Sequence, residues 1–559
     1  LCMKNFSEEI LAYALQNAIE FGKADASKIL PKLFQHGLKK EEIKIVIPII
    51  QEIVKKVNSK RTEERLKEFE NVKDFVKKRI YEEKKLEELP KSDVKGKMTF
   101  RLAPFPSGAL HIGNAKTYVL NALYAESYDG DIILVMDDTI GSAEKPLIKE
   151  GYKLIEDAFK WLNVDYKKPI IYKSDRLRIY YQHAEKLIKK EKAYVCHCSQ
   201  ELMRENRENG VECGCRQFPS KIQLLRWKEM FKLGEGEATL RIKTDMQDPN
   251  PAFRDRVLFK ISDRKHPRVE NKYRVWPSLE MSWAIDDHLL GITHIIRGND
   301  LMIETLMEKY IWDIFKWKHP ITIHTGLIKI EFEGAKISKS KAQKEVLSGE
   351  FIGWDDPRTW SVQSLERRGI RKEAIREFVK EIGLNKQDII VPIDSLYSIN
   401  RKLLDEKALR YSFVANPVKI EIKDKLPFKE VEVPVHPDKH DEIRKISVAN
   451  NIFISEEDFK KYGGKEIRLL HLFNVKLKDK TKISSIENKN IQKINWVCDR
   501  VEARVLMPSG NWIEGVAEKS IEELNVGSII QFERFGFCRF DGKKKINENY
   551  VYEFWLAHR

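Results

Sequence analysis

The chain has 559 residues, 42% of them hydrophobic and 10% aromatic. That is too long for one ordinary core and rich enough for several, so three to five domains are expected. Lysine plus arginine number 101 against 86 aspartate plus glutamate, a net charge of +15, which suits a polyanionic partner as well as it suits a heavily charged solvated surface. No apolar stretch reaches the roughly 18 residues that span a bilayer, and Leu1-Cys2-Met3-Lys4 shows neither the apolar run nor the cleavage signal of a secretory peptide, so a cytoplasmic protein without a membrane partner is expected.

Residues 1–95 read as helices forming an N-terminal extension. Ser7, followed by Glu8 and Glu9, is the expected N-cap of a first helix whose apolar face carries Ile10, Leu11, Ala14, Leu15, Ala18 and Ile19. A long exposed helix with a narrow stripe of Leu66, Phe69, Val76 and Ile80 is expected from Lys55 to Leu89, stopped by Pro90. From Lys97 the rhythm changes to strand (Met98 to Ala103), Pro/Gly loop, helix (Leu110 to Tyr124) and strand (Ile132 to Met136). This βαβ pattern predicts an α/β fold with a doubly wound, Rossmann-like parallel sheet. Its halves fall at 96–193 and 284–344, and the stretch 194–283 between them reads as an inserted domain. Short helices at 345–410, including Glu373 to Ile382, precede an all-β region at 411–559 that is expected to form barrels.

Four of the seven cysteines fall between Cys196 and Cys215. That is no disulfide framework for a chain this long, and it suggests a metal site in a reducing compartment. The pairs Cys196-His197-Cys198 and Cys213-Gly214-Cys215 can supply a tetrahedral thiolate set for zinc, structural because no open position is implied. His197 is an alternative ligand read as a bystander.

Two further segments carry chemistry. Pro104 to Asn114 places a tight loop, with Ser107 and Gly108, before a helix containing His111-Ile112-Gly113-Asn114. A helix N-terminus suits nucleotide phosphates, Gly108 and Gly113 would let a ligand approach the backbone, and His111 and Asn114 can donate to phosphate or ribose. Lys336-Ile337-Ser338-Lys339-Ser340 presents two lysines on a glycine-led loop, able to follow charge building on an α-phosphate and its departing pyrophosphate. Each alone is weak, since lysines on loops are mostly solvated; together, in this order around one sheet, they are coherent.

Pro106 to Asn114 resembles the first signature of class I aminoacyl-tRNA synthetases, and Lys336 to Ser340 the second. Arg101-Leu102-Ala103-Pro104, Asp137-Asp138-Thr139, Gly291-Ile292-Thr293-His294 and Gly353-Trp354-Asp355-Asp356-Pro357-Arg358 are similar to the glutamyl/glutaminyl branch. The β-rich C-terminus and the helical extension with Gly22-Lys23-Ala24-Asp25 resemble its archaeal glutamyl members. The resemblance implies a monomeric ligase that uses ATP with magnesium, L-glutamate and tRNA, with a zinc-bearing insertion at the acceptor end and an anticodon-binding C-terminal region. It also implies roles: His111, Lys336 and Lys339 in catalysis, and Pro104, Ser107, Gly108, Gly113, Asn114 and Ser338 with them at ATP. Arg101, Ala103, Asp137, Leu279 and Arg297 would lie at the amino acid, and Cys196, Cys198, Cys213 and Cys215 at zinc.

Three positions depart from that pattern. Asn114 replaces the usual second histidine and still donates a hydrogen bond. Met136 stands where a phenylalanine is common, and Leu279 where relatives carry a tyrosine hydroxyl. Glutamate is expected over glutamine, the alternative substrate, because Arg297 stands where glutaminyl relatives are uncharged, and a guanidinium pairs with a second carboxylate as it cannot with an amide. Arg101 and Arg297 would each read one carboxylate and Asp137 would anchor the ammonium; which arginine reads which stays open.

Overall fold

The structure, a computed structural model, describes residues 6–76, 84–140, 146–331, 339–439, 441–478, 480–546 and 548–559. It divides into two compact units, Leu1–Lys84 and Lys85–Arg559.

The first unit holds α1 (Ser7–Phe21), α2 (Ala26–Leu33), α3 (Ile43–Ser59) and α4 (Thr62–Val72). Ile10, Ala14, Leu15 and Ala18 of α1 are buried, with Leu11 packed beside them. Ser7 is not the cap: it is the first helical residue, and Phe6 at the cap position makes no side-chain capping bond. The long helix expected from Lys55 is two helices. The chain turns extended at Lys60 and Arg61, and the Arg61 amide donates to Glu64 Oε2 as α4 starts anew. Buried Arg65 fixes that corner, donating to the carbonyls of Val57, Gly22 and Asn58. Of the expected stripe, Leu66 is exposed, Phe69 and Val76 pack on the core, and Ile80 lies outside the described residues.

The second unit opens with β1 (Thr99–Leu102), α5 (Ile112–Ser127), β2 (Asp131–Met136), α6 (Lys149–Trp161), β3 (Lys167–Tyr172) and α7 (Leu177–Lys189). Next come β4 (Ala193–Cys196), α8 (Gln200–Asn209), α9 (Ser220–Met230), β5 (Thr239–Ile242), β6 (Val257–Ile261) and β7 (Val275–Pro277). Then follow α10 (Leu279–Leu289), β8 (His294–Gly298), α11 (Met302–Phe315), β9 (Ile321–Thr325) and α12 (Lys339–Leu347). The central sheet runs β3-β2-β1-β8-β9, every neighbouring pair parallel. Consecutive strand residues point to opposite faces, and Ile295 and Ile296 of β8 accordingly enter two different cores. One core is built on α5 and α6, the other on α7, α10 and α11. Both faces are covered, as a doubly wound sheet requires. Strand order reverses between β1 and β8, and β4–β7 form a separate antiparallel sheet between the halves.

Beyond the short helices, among the described residues, lie two large sheets and a two-stranded ribbon of Glu430–Pro434 with Ile443–Ser447. Residues 410–415 supply both end strands of a seven-stranded sheet: Arg410–Tyr411 pairs with Ile529–Phe532, and Phe413–Ala415 with Trp512–Glu518. One short segment paired to both ends curls the sheet into a barrel. A six-stranded sheet is inserted at residues 417–494, and a bridge between Phe453 and Val497 draws its two ends together. Gly510, in the turn between Arg500–Leu506 and Trp512–Glu518, lies against Arg358, and buried Arg368 donates to the carbonyls of Leu556 and Ala557, so the barrel is docked on the helical segment.

Candidate active site

Where β1 and β8 part, their carboxyl ends open into a cleft of about 820 Å³ lined by Ala103, Ser107, His111, Asn114, Asp137, Leu279 and Trp283, among others. A smaller cavity of about 180 Å³ shares Ala103, Asn114, Tyr118 and Trp283 with it and reaches Arg101, Gly113 and Arg297. A reversal of strand order is where ligands of open α/β sheets bind.

His111 is the N-cap of α5, and its Nδ1 accepts a 3.3 Å bond from the Asn114 amide. It therefore closes the end of the helix rather than lying on a face of it. The amides of Ile112, Asn114 and Ala115 already donate, the first to Trp360 O and the others to His111 O. These amides are thus not bare donors at the end of the helix. Both glycines are closely packed. At Gly108, φ is +136° and an added Cβ would lie 2.2 Å from the Trp354 ring; at Gly113 it would lie 3.0 Å from the His111 ring. Pro104 acts through its carbonyl, which accepts from the Asp137 amide at 3.0 Å.

Three cations converge behind the cleft, each on a buried carboxylate. Arg101 Nε lies 2.6 Å from Asp287, Arg297 Nη2 lies 2.7 Å from Glu308 and Lys173 Nζ lies 2.9 Å from Asp137. Arg297 also donates to Thr305 Oγ1, and Lys173 to Ser282 Oγ at 2.8 Å. Neither arginine is a lone cation awaiting a substrate, then, and Asp137 already has an ammonium partner. Burial pushes the Asp137 carboxyl up and the Lys173 ammonium down, each opposed by the other's charge. Burial likewise pushes Asp287 up to about 6 against the pull of Arg101. Sequence reasoning missed Lys173, Trp283, Asp287 and Glu308. Asp287 and Glu308 are unremarkable helical acids until β1 and β8 set an arginine against each.

Asp138 points away from the cleft. It accepts from the Ser174 amide and hydroxyl at 2.8 and 2.7 Å and from Tyr152 at 3.1 Å. The ring of buried His266, stacked on Trp276, donates from Nε2 to the Asp138 carbonyl at 2.7 Å while Nδ1 accepts from the amides of Arg268 and Val269. These bonds fix the turn that presents Asp137. Leu279 opens α10 with its side chain on the cleft, where Arg256 bridges Glu280 and Glu304. Lys336 and Ser338 lie outside the described residues; Lys339 begins α12, whose Gln343 lines the cleft.

In the inserted domain the sulfur atoms of Cys196, Cys198, Cys213 and Cys215 all lie within 4.8 Å of one another. The 3.7 Å between Cys196 and Cys213 is the separation of thiolates held at about 2.3 Å from a central zinc, and Cys198 and Cys213 lie closer, at 3.2 Å. Burial raises the pKa of Cys196 and Cys198, so a cation is what would hold these sulfurs as thiolates. Gln223 ties the two ends of the set together, donating to Cys215 O and accepting from the Val195 amide. His197 is exposed and bonds to Glu237 O instead.

Residues 97–406 match the family described as class I tRNA synthetases (E and Q), catalytic domain; residues 408–498 and 477–541 match two anticodon-binding domain families of the same group. The chain is 42% identical to a glutamate–tRNA ligase of Pyrococcus furiosus, over 95% of this chain and 96% of that one. It is 40% identical to one of Thermococcus onnurineus (96% and 97%) and 37% identical to one of Methanothermobacter marburgensis (98% and 99%). A solved glutamate tRNA ligase from Elizabethkingia meningosepticum, in complex with its amino acid, aligns with 56% of this chain and 70% of that one at 19% identity and a TM-score of 0.40. A catalytic-domain match across residues 97–406 of 559, joined to full-length likeness at these identities, decides the matter: the chain belongs to the class I tRNA synthetases of the E and Q group.

Proposed function

We propose that this chain is a glutamate–tRNA ligase. A carboxylate oxygen of L-glutamate attacks the α-phosphorus of ATP, the bond to the bridging oxygen breaks and pyrophosphate leaves; the terminal ribose hydroxyl of tRNA then attacks the acyl carbon of glutamyl-adenylate and AMP leaves. The carrying observation is the pair of buried guanidinium groups at the ends of adjacent strands, Arg101 of β1 and Arg297 of β8, lining one cavity beside the cleft of His111 and Asn114. A guanidinium has five N–H donors, so each arginine, held from behind by Asp287 or Glu308, keeps donors for a substrate carboxylate. Asp137 anchors the α-ammonium while Lys173 keeps it in place. His111 with Lys336 and Lys339 stabilises charge on the phosphates, and magnesium arrives with ATP. Pro104, Ser107, Gly108, Gly113, Asn114 and Ser338 shape the nucleotide side, and Ala103 and Leu279 the walls at the amino acid. Zinc held by the four cysteines would supply no chemistry to the reaction; it fixes the inserted domain.

The test is pyrophosphate exchange in the presence of tRNA, with glutamate and with glutamine in turn. Exchange that depends on glutamate is expected; exchange supported by glutamine alone would reverse the assignment of substrate.

A further inference from the structure

Trp283 lies one turn beyond Leu279 on α10, lines both the cleft and the smaller cavity, and is only 4% exposed. Cations from three separate elements approach its ring: the Arg101 guanidinium of β1 at 4.8 Å, the Lys173 ammonium beyond β3 at 4.8 Å and the Arg297 guanidinium of β8 at 5.4 Å from the ring centroid. Each is held on its other side by its own carboxylate, Asp287, Asp137 or Glu308. The indole Nε1 has no hydrogen-bond partner among the described residues. The ring therefore meets these polar groups through its π-system and its packing, not through a donor.

An indole attracts cations electrostatically, and most strongly where water is excluded. An aliphatic side chain in the same space would touch the same groups without attracting them. The helix that carries Trp283 also supplies Ser282 to Lys173 and Asp287 to Arg101, so this helix holds two of the charges by polar contacts and meets the third, Arg297, through the Trp283 ring. Leucine at position 279 itself offers no hydroxyl to a substrate, and the charge of the substrate carboxylates falls to the cations.

We propose that Trp283 is a positioning residue for glutamate selection: its indole holds Arg101, Arg297 and Lys173 in one fixed layer, so that substrate carboxylates meet guanidinium groups already in place. Fixing those groups before binding removes the cost of ordering them at the moment of binding. The proposal rests on the reading that Arg101 and Arg297 meet the carboxylates of glutamate.

The experiment is steady-state charging of tRNA by W283L and W283F, with Arg297→Cys alongside. W283L is expected to raise KM for glutamate about tenfold while KM for ATP stays within about twofold, and W283F, which keeps a weaker aromatic face, to raise it about threefold. Equal losses in W283L and W283F, no loss in W283L, or a KM for ATP that climbs in step with that for glutamate would each overturn the proposal. Should W283L fail to fold, W283F decides against the wild type, an unchanged KM for glutamate being the adverse result. If Arg297→Cys leaves KM for glutamate intact, the reading of the arginines falls; if it raises KM while W283L does not, only the role of Trp283 falls.

Discussion

Arg297 donates to both oxygens of Glu308, whose side chain is fully buried, so removing the guanidinium strands a charge as well as a substrate contact. Breaking a buried pair on one side costs on the order of 3–5 kcal/mol. Arg297→Cys should therefore lower both thermal stability and kcat/KM for glutamate, and Arg297→Cys with Glu308→Gln should recover stability but not glutamate use. If Arg297 reads the γ-carboxylate, glutamine loses much less than glutamate; equal losses transfer the selective role to Arg101. Comparing kcat/KM for both amino acids across the three proteins decides it. Gly108 makes a second case: with φ at +136° and the Trp354 ring 2.2 Å from an added Cβ, Gly108→Ala should destabilise by about 1–3 kcal/mol. Full stability in a melting experiment would show that the ring can move aside. The Trp354 ring against Gly108 was not legible, because a glycine before a helix is the same letter whether or not an indole lies against it. The two arginines, Asp137 and the cysteines were legible because their type and order are specific. Their carboxylate partners were not, because pairing across the sheet depends on the angle at which α10 and α11 cross it.

At the scale of elements, strand and helix periodicity located β1, α5 and β2 to within a few residues, since each has one buried face or two. The expected helix from Lys55 to Leu89 failed because charged residues carry helical propensity on both sides of a break, and a turn at Lys60 and Arg61 leaves no Gly or Pro to mark it. The insertion was legible as an interruption of the βαβ rhythm, its internal sheet β4–β7 was not, and the four sulfurs lie where β4 ends and the turn before α9 begins. Cys213→Ser should lower the zinc content of purified protein from one per chain toward none and slow tRNA charging. Glutamate-independent binding of ATP should persist, because β1, α5 and β2 do not depend on that turn. Metal analysis with equilibrium nucleotide binding checks this, and loss of ATP binding in step with zinc would contradict it.

Within the second unit the helical segment and the barrel meet along a seam, and one buried group makes that seam sensitive to acid. His558 is 1% exposed, Asn400 Nδ2 donates to its Nε2 at 3.0 Å, and burial pulls its pKa from 6.5 down to about 4. The unfolded chain thus takes up this proton near pH 6.5 and the folded chain only near pH 4, so between those values the unfolded state holds more protons. Stability contributed by neutral His558 is complete above pH 6.5 and is lost as the pH falls, by about 3 kcal/mol in all. His558→Gln should flatten that slope between pH 6.5 and 4, read as the denaturation midpoint against pH; an unchanged slope would place the acid sensitivity elsewhere. No described helix is long and apolar enough to cross a membrane.

The segment 410–415 that seals both ends of the seven-stranded barrel is made long before the strands it pairs with, Trp512–Glu518 and Ile529–Phe532, and before Asn549–His558, which lies between them in the sheet. During synthesis at about 5–20 residues per second, this segment must wait, its edges unpaired, while 417–494 emerges and closes around its own hydrogen bonds. The inserted barrel is therefore free to fold first and the outer one last, with the final strand acting as the stave that lets the hoop close. A chain released after residue 545 should carry a protease-resistant fragment spanning 417–498 inside a sensitive frame. Equal resistance of both barrels in that truncated chain would mean that the hoop closes without its last stave.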